Sequence, residues 1–540
     1  MKLPQPTHEN YTVLISNIET GQIKIPQFQR EFVWTIKRSA DFLDSIVKGY
    51  PIGTFIFWKT KEPLRTLREI GGINLPAPKK NESTVLVLDG QQRLTSLLAA
   101  VRGAKVLHAS GREEDFSKIY INVRAKEKVK EAEDIVTTDI EDLPKGTFFR
   151  LTDLLNDNRA ALTKFPKRYH KKLNEYKRRI KAYNFSIIEV SNVSLDVATD
   201  IFTRINVGGK TLTVFEIMVA KTYDKKRGFD LSEKYDELIK ELKKVDYQTI
   251  SNQTVLRLIA QIQKNKSNRQ AILDLEKDEF IRNWPDVVDS IKQAVYFLQN
   301  VMMVPVSQLL PYLDLLVLFA YFFYKQPSKR LTSTQTKELK NLFWRCSLSG
   351  RYDAAIDSRL TQDIKRVDQI LEDEAADYDW EIDFKPGDLI ERGEFNPNAS
   401  FTKAILCVMT FKRPWSFDSG TVIKIDNKEV KRSSGENYHR FFPKTFFRKN
   451  ITDKSYTNSV FNITIVESGM DRKKIKEKPP SKYIEKFKTK NPKFIGTMRT
   501  HLIEDLSEFG ILDDDYDTFI NKRAEAISKE ISRWIIKRKK

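Results

Sequence analysis

The chain has 540 residues, with 93 Lys or Arg against 73 Asp or Glu, a formal net charge of +20. At one domain per ~100–200 residues this length predicts roughly three domains, and 40% hydrophobic with 11% aromatic content excludes a disordered chain. Two cysteines, Cys346 and Cys407, exclude a disulfide framework and a Cys-rich zinc site, and point to a reducing cytoplasm. The longest apolar run, Leu315 to Tyr324, reaches about half of the ~20 residues a bilayer span needs, and Asp314 and Lys325 flank it. The opening MKLPQPTHEN carries no apolar signal region, so neither a membrane nor export is expected. With five histidines, any metal site must lean on carboxylates. The positive excess attracts polyanions, of which nucleic acid is the usual one. A solvated basic face is the bland alternative.

In chain order, Ile36 to Lys48 has apolar residues at helical spacing and stops at Gly49-Tyr50-Pro51. Thr54 to Trp58 alternates as a strand, and Thr84 to Leu88 reads as a buried strand. Asp89-Gly90 turns that strand into a helix from Gln91 to about Val101. Residues 124–182 are lysine-rich and expected to be helical. Phe185 to Val190 is a further strand, and Asp196 to Phe202 starts a helix. From about 230 to 375 only helical periodicity is found, at Leu231 to Lys244, Thr254 to Gln263, Val287 to Val301, Pro311 to Tyr324 and Thr336 to Ser347. A linker, Glu372 to Pro397, leads to a segment with short strands at Thr421 to Ile425 and Ile463 to Val466. A lysine-dense stretch from Arg472 to Lys493 and a terminal helix follow. No internal repeat is found. The domains expected are 1–228, 229–375 and 376–540.

The sharpest constellation is the strand-turn-helix LVLDGQQRLTSLL. A helix entered from Asp89-Gly90 has unpartnered first amides that suit an anion, and Arg93 in its first turn adds a charged fork suited to phosphate. Asp89 either orders the turn or holds a divalent cation on a nucleotide; the plain alternative is an N-cap Asp89 and a solvated Arg93. IPQFQREFVW sets Arg30 among Phe28, Phe32 and Trp34, a combination of charge and stacking. FTRINVGGKTLT places Arg204 and Asn206 before Gly208-Gly209, where a ligand can approach the backbone. No Gly-rich GKS/T loop is present, which excludes a conventional P-loop NTPase. Cys346 and Cys407 sit in apolar surroundings and read as core.

Taken in order, IPQFQREFVW, YPIGTFIFW, LDGQQRLTSL and FTRINVGGKTLT resemble the N-terminal domain of GmrSD-type modification-dependent restriction enzymes, shared with the phosphorothioate-sensing SspE defence proteins. The resemblance covers roughly residues 8–225, and Asn341 to Ile364 looks like the family's helical region. It implies a ParB/sulfiredoxin-like α/β domain that binds and hydrolyses a nucleotide (GTP or another NTP). Asp89, Gly90, Gln91, Gln92 and Arg93 would form that site, with Arg30, Arg204 and Asn206 nearby.

The third segment resembles the family's C-terminal HNH (ββα-metal) nuclease domain through ENYHRFFPKTFF, SVFNITIV and DRKKIKEKPPSKYI. An HNH site pairs a metal ligand with a general-base His on a strand, oriented by an Asn, with a further ligand on the following helix. His439 matches the metal-ligand position and Asn462 the central Asn, Asp471 or Arg472, depending on the alignment, falls where the helical ligand belongs, and Arg440 stands where the base should be. Arginine stays protonated and is a poor base, so either His439 serves as the base after a register shift, or the domain is a degenerate module that binds DNA without cutting it. Arg440, Lys444, Lys473, Lys474, Lys476 and Lys478 suit phosphate-backbone contact under both readings. The whole implies an α+β multidomain protein: a cytoplasmic, Mg²⁺-using, NTP-dependent type IV restriction endonuclease of anti-phage defence. Its target would be modified double-stranded phage DNA, and it would act alone or with a partner defence subunit. The alternative is a nucleotide-gated DNA-binding sensor with an inactive HNH-like domain that signals through a partner.

Overall fold

The computed structural model describes all residues except 1–3, 27–31, 62–65, 67–68, 77–82, 109–111, 127–132, 194, 206–212, 225, 328–329, 431–437, 448–456, 468–474, 476–477 and 537–540. The chain is mixed α/β and divides into two compact units, Met1–Asp230 and Leu231–Lys540.

The first unit is built on a mixed five-stranded sheet. Its strands are β1 (Gln5–Asn10), β2 (Ile23–Lys24), β3 (Phe55–Thr60), β4 (Thr84–Asp89) and β5 (Asn184–Ser191), in the order β1-β5-β3-β4-β2. β1 runs antiparallel to β5, β5 parallel to β3, β3 antiparallel to β4, and β2 parallel to β4. The register of β3 and β4 shifts between Ile56 and Phe57, and Ile56 there faces Asp89 at the end of β4. Such a bulge re-aims side chains at a strand end. One face of the sheet carries Phe55, Phe57, Val87, Phe185 and Ile187 into a core completed by helices α1 (Tyr11–Glu19), α2 (Ile36–Val47) and α3 (Gln91–Arg102). On α3 the apolar Leu94, Leu97, Leu98 and Val101 recur at the three- and four-residue spacing of one helix face and are buried. The hydroxyls of Ser39 and Ser96, 2.8 Å apart and fully buried, stand where α2 and α3 pack together. A further helix, α4 (Leu195–Ile205), packs against β4.

Most elements expected from the periodicity are present within two or three residues. The stretch 124–182 differs. It holds strands Val136–Thr137 and Phe148–Arg150, both paired with Tyr120–Asn122, and its one long helix is confined to His170–Lys181. Lysine density reports exposure rather than backbone conformation, and Pro144 and Gly146 interrupt the run with a turn.

In the second unit the apolar run becomes the helix Leu315–Lys325, buried from Leu315 through Phe323. It packs against helices Asn252–Lys264, Lys277–Asn300, Ser333–Leu348 and Ile356–Leu371. Among the described residues no helix is long and apolar enough to cross a membrane. The segments 229–375 and 376–540, expected as two domains, lie in one unit. Near the C-terminus Trp534 stacks on Trp344 at 4.5 Å, and Arg345 donates to the Ile536 carbonyl. The expected strand at Thr421 to Ile425 is reduced to a single bridge between Val422 and Trp415. Its main-chain bonds run to Pro414 and Ser416 across a tight turn, too short a ladder for a strand. Strands β6 (Tyr438–Arg440) and β7 (Ile463–Ile465) form a separate antiparallel pair.

Candidate nucleotide site and nuclease-like strand pair

Three of the four sequence motifs in the first unit meet at the start of α3. Gly90, at φ +97°, caps the helix and has no side chain to bond its first turn, which carries the positive end of the helix dipole. A side chain at Gly90 would collide with Phe55 and lie 3.3 Å from Arg93. Gln92, nearly buried, accepts from the Val33 amide at 2.9 Å and the Trp34 amide at 3.3 Å, which ties Val33 and Trp34 of the REFVW motif to DGQQR. Arg93 donates to the Ile52 carbonyl at 2.8 Å, the Thr54 carbonyl at 2.9 Å and Asp89 Oδ2 at 3.0 Å, which ties in YPIGT. Its guanidinium stands over the Phe55 ring at 5.0 Å. The Arg93 side chain is 14% exposed, and burial lowers its pKa while the Asp89 charge works the other way. The sequence suggested a phosphate fork or a solvated arginine; the fork is instead occupied by main chain.

Asp89, with 36% of its side chain exposed, stands at the strand end beside these amides. Arg204, on α4, is 79% exposed and pairs with Asp200 at 3.0 Å. Arg30 and Asn206 lie outside the described residues. Sequence reasoning missed a neighbouring pair. His108 Nδ1 lies 3.0 Å from the Phe32 carbonyl and its Nε2 3.3 Å from Glu114, while Glu114 also accepts from the Ile36 amide at 2.7 Å. His108 stacks on Phe32 at 5.6 Å. His108 thus holds Phe32 and Glu114 holds Ile36, on either side of Val33 and Trp34. No motif announced the pair: His108 follows the strand Lys105–Leu107, and Glu114 lies in the strand Glu113–Asp115 that pairs with it.

In the second unit His439 and Asn462 are fully buried. Asn462 accepts from the Phe442 amide at 2.8 Å and donates to the Phe442 carbonyl at 2.9 Å, so both ends of its amide hold the turn after β6. That grip falls on the backbone three residues beyond His439. His439 pairs in register with Thr464 and is enclosed by Phe417, Phe441 and Tyr483, with ring centroids 5.8–6.5 Å away. Arg440 donates to Asn458 Oδ1 at 2.9 Å. His501, which the sequence reading passed over, lies against Phe417 at 4.8 Å with its Nε2 2.7 Å from the Trp415 carbonyl. Burial, with smaller contributions from Arg523 and His439, takes the His501 pKa down to about 3, so its ring is neutral. Glu467, just past β7, accepts from the Ser416 hydroxyl and keeps its other oxygen buried. Lys444 and Lys478 are exposed. Asp471, Lys473, Lys474 and Lys476 lie outside the described residues. Among the described residues no three His, Cys, Asp or Glu side chains gather into a metal-binding group. His439 alone supplies one nitrogen, where Mg²⁺ takes several oxygens, so the described residues do not fit the ion.

The first unit is therefore a mixed α/β domain whose motif loops are bound to one helix N-terminus. Residues 11–223 match the family model of the GmrSD restriction endonuclease N-terminal domain. The chain is also 24% identical over 533 residues to an uncharacterized protein of Methanocaldococcus jannaschii, an alignment that covers 90% of this chain and 88% of that protein.

Proposed function

We propose that this protein is a restriction-type DNA endonuclease of anti-phage defence, acting in the cytoplasm on modified double-stranded DNA under control of a bound nucleotide. The observation that carries the reading is the convergence of REFVW, YPIGT and DGQQR on the N-terminus of α3, within the stretch that matches the GmrSD domain. The nucleotide phosphates sit on the amides of Gly90, Gln91 and Gln92, where the helix dipole favours negative charge. Asp89 faces the phosphate-bound cation or the attacking water. Arg93 and Gln92 fix the loops that frame the ligand, and Arg30, Arg204 and Asn206 complete the rim. Cleavage belongs to the β6–β7 pair, with His439 as the acting imidazole and Asn462 holding its turn. Mg²⁺ enters this reading only with Asp471 as an oxygen donor. Arg440, Lys444 and the lysines of 473–478 contact the DNA backbone, which makes binding salt-dependent.

The test is a plasmid-nicking assay on wild type and His439→Ala with plain, glucosylated-hydroxymethylcytosine and phosphorothioate DNA, each with and without GTP and Mg²⁺. Nucleotide-stimulated cutting of one modified substrate, lost in His439→Ala, is the expected result. Intact DNA throughout, with nucleotide hydrolysis retained, would replace the nuclease by a DNA-binding sensor.

A further inference from the structure

The stretch Asn341 to Ile364 and the linker after it build a cavity of about 220 Å³ that no part of the proposed nuclease uses. Three arginines, Arg351, Arg359 and Arg392, line it. Arg351 is held rigidly. Its Nε donates to the fully buried Asp363 at 2.7 Å, its NH2 donates to Gln362 at 2.9 Å, and its guanidinium lies 3.9 Å over the Trp380 ring. Asp363 also accepts from Arg366 at 2.9 Å, and Arg366 pairs in turn with Asp379 at 2.7 Å, so the two guanidinium charges are met by two carboxylates. Arg359 and Arg392 each spend one N–H on a main-chain carbonyl, of Arg351 and of Leu348, both at 2.9 Å. Among the described residues neither forms an ion pair within 4 Å. A guanidinium has five donors and no acceptor, so most of their hydrogen-bonding capacity remains for a ligand.

Two further wall residues point the same way. Ser349 Oγ and Trp380 Nε1 are buried and have no hydrogen-bond partner. An unpaired buried polar group is costly, and an indole N–H can only donate. Donors in excess, fixed by stacking and ion pairing, are the complement of an acceptor-only anion. Glu381 and Asp383 also line the cavity. With Arg351 balanced by Asp363, they match Arg359 and Arg392 in formal charge, so the site recognises a phosphate through its fixed N–H and O–H donors and is unsuited to a triphosphate. A volume of about 220 Å³ holds a phosphate with its sugar.

We propose that this cavity is a second phosphate site, which takes one nucleotide phosphate ester on Arg359, Arg392 and Arg351. The phosphate belongs either to a free mononucleotide or to a DNA strand. The site is independent of the nucleotide reading at α3, because none of its residues lies in the first unit.

Calorimetric titration of the full chain with inorganic phosphate, dCMP and a 12-base-pair duplex tests it, on wild type and on Arg359→Gln/Arg392→Gln. The double variant is expected to lose at least tenfold in affinity for inorganic phosphate and for either dCMP or the duplex. The arm that falls names the source. If it is the duplex, the slope of log affinity against log salt also drops by about one for each phosphate contact removed. Unchanged affinity for dCMP and for duplex in a double variant with a wild-type thermal transition overturns the proposal. If the double variant loses that transition, Ser349→Ala is scored by the same rule, with a threefold or greater loss expected. That substitution removes one hydroxyl and leaves the arginine contacts in place.

Discussion

Replacing Arg93 by lysine separates a ligand-binding arginine from one that fastens loops. Lysine keeps the charge but cannot reach the Ile52 and Thr54 carbonyls and Asp89 together, as the arginine fork does at 2.8, 2.9 and 3.0 Å. At least one carbonyl loses its charged donor, at about 1.5–3 kcal/mol. The Asp89 pair, with Asp89 36% exposed, adds at most about 1 kcal/mol. The sum is roughly 2–4 kcal/mol. The unit spans Met1–Asp230, and at about 2 °C per kcal/mol for a domain of this size its thermal midpoint falls by about 4–8 °C. Scanning calorimetry on the full chain resolves this when the two units unfold in separate transitions, with only one expected to move. A midpoint within about 1 °C of wild type, together with a tenfold loss of nucleotide affinity, would refute the clamp and make Arg93 a ligand.

Gly90→Ala sets a methyl group against the buried Phe55 ring at φ +97°. The strained backbone costs about 1–2 kcal/mol and the overpacking about 1–3 kcal/mol, so nucleotide binding and the midpoint of the first unit fall together; an unchanged midpoint by calorimetry would contradict the close approach. Asn462→Ala leaves the Phe442 amide and carbonyl unpaired in the interior, and a loss of about 2–4 kcal/mol is expected in the transition of the second unit, measured by circular dichroism. His501 is neutral in the folded state with a pKa of about 3, below its ordinary value of 6.5. Between these values the unfolded chain binds the extra proton, so stability is lost as the pH falls below 6.5. From pH 7.5 to 5 the second unit should lose roughly 2 kcal/mol through this group, and His501→Gln should flatten that part of the pH profile of its thermal midpoint.

The sequence was most informative where chemistry and backbone needs coincide. TVLVLDGQQRL reads as a strand, a turn and a helix because β-branched residues, an Asp-Gly pair and a three- and four-residue apolar spacing each act locally. β4, Gly90 and α3 follow from it. The ten-residue apolar run was likewise legible as too short for a bilayer, and it folds as a core helix. Its neighbours could not be read, since each helix presents an apolar face that fits many partners.

What only the tertiary structure decided is where the polar side chains spend their hydrogen bonds. Arg93 reads equally well as a phosphate ligand, a surface residue or a clamp until Ile52 and Thr54 arrive from 41 and 39 positions away. His108 and Glu114 carry no motif, yet they brace Phe32 and Ile36 through contacts that span up to 78 residues. Asn462 matched a family position, but its grip on Phe442 depends on the pairing of β6 with β7. The three arginines of the cavity stand at positions 351, 359 and 392, and only the packing of a helix end, a turn and a linker brings them to one wall. Local propensity is written in neighbouring residues and survives in a sequence read by itself. The partner of a buried donor or charge is chosen by the whole fold, because burial makes an unpaired group costly and the chain satisfies it with whatever group topology brings near.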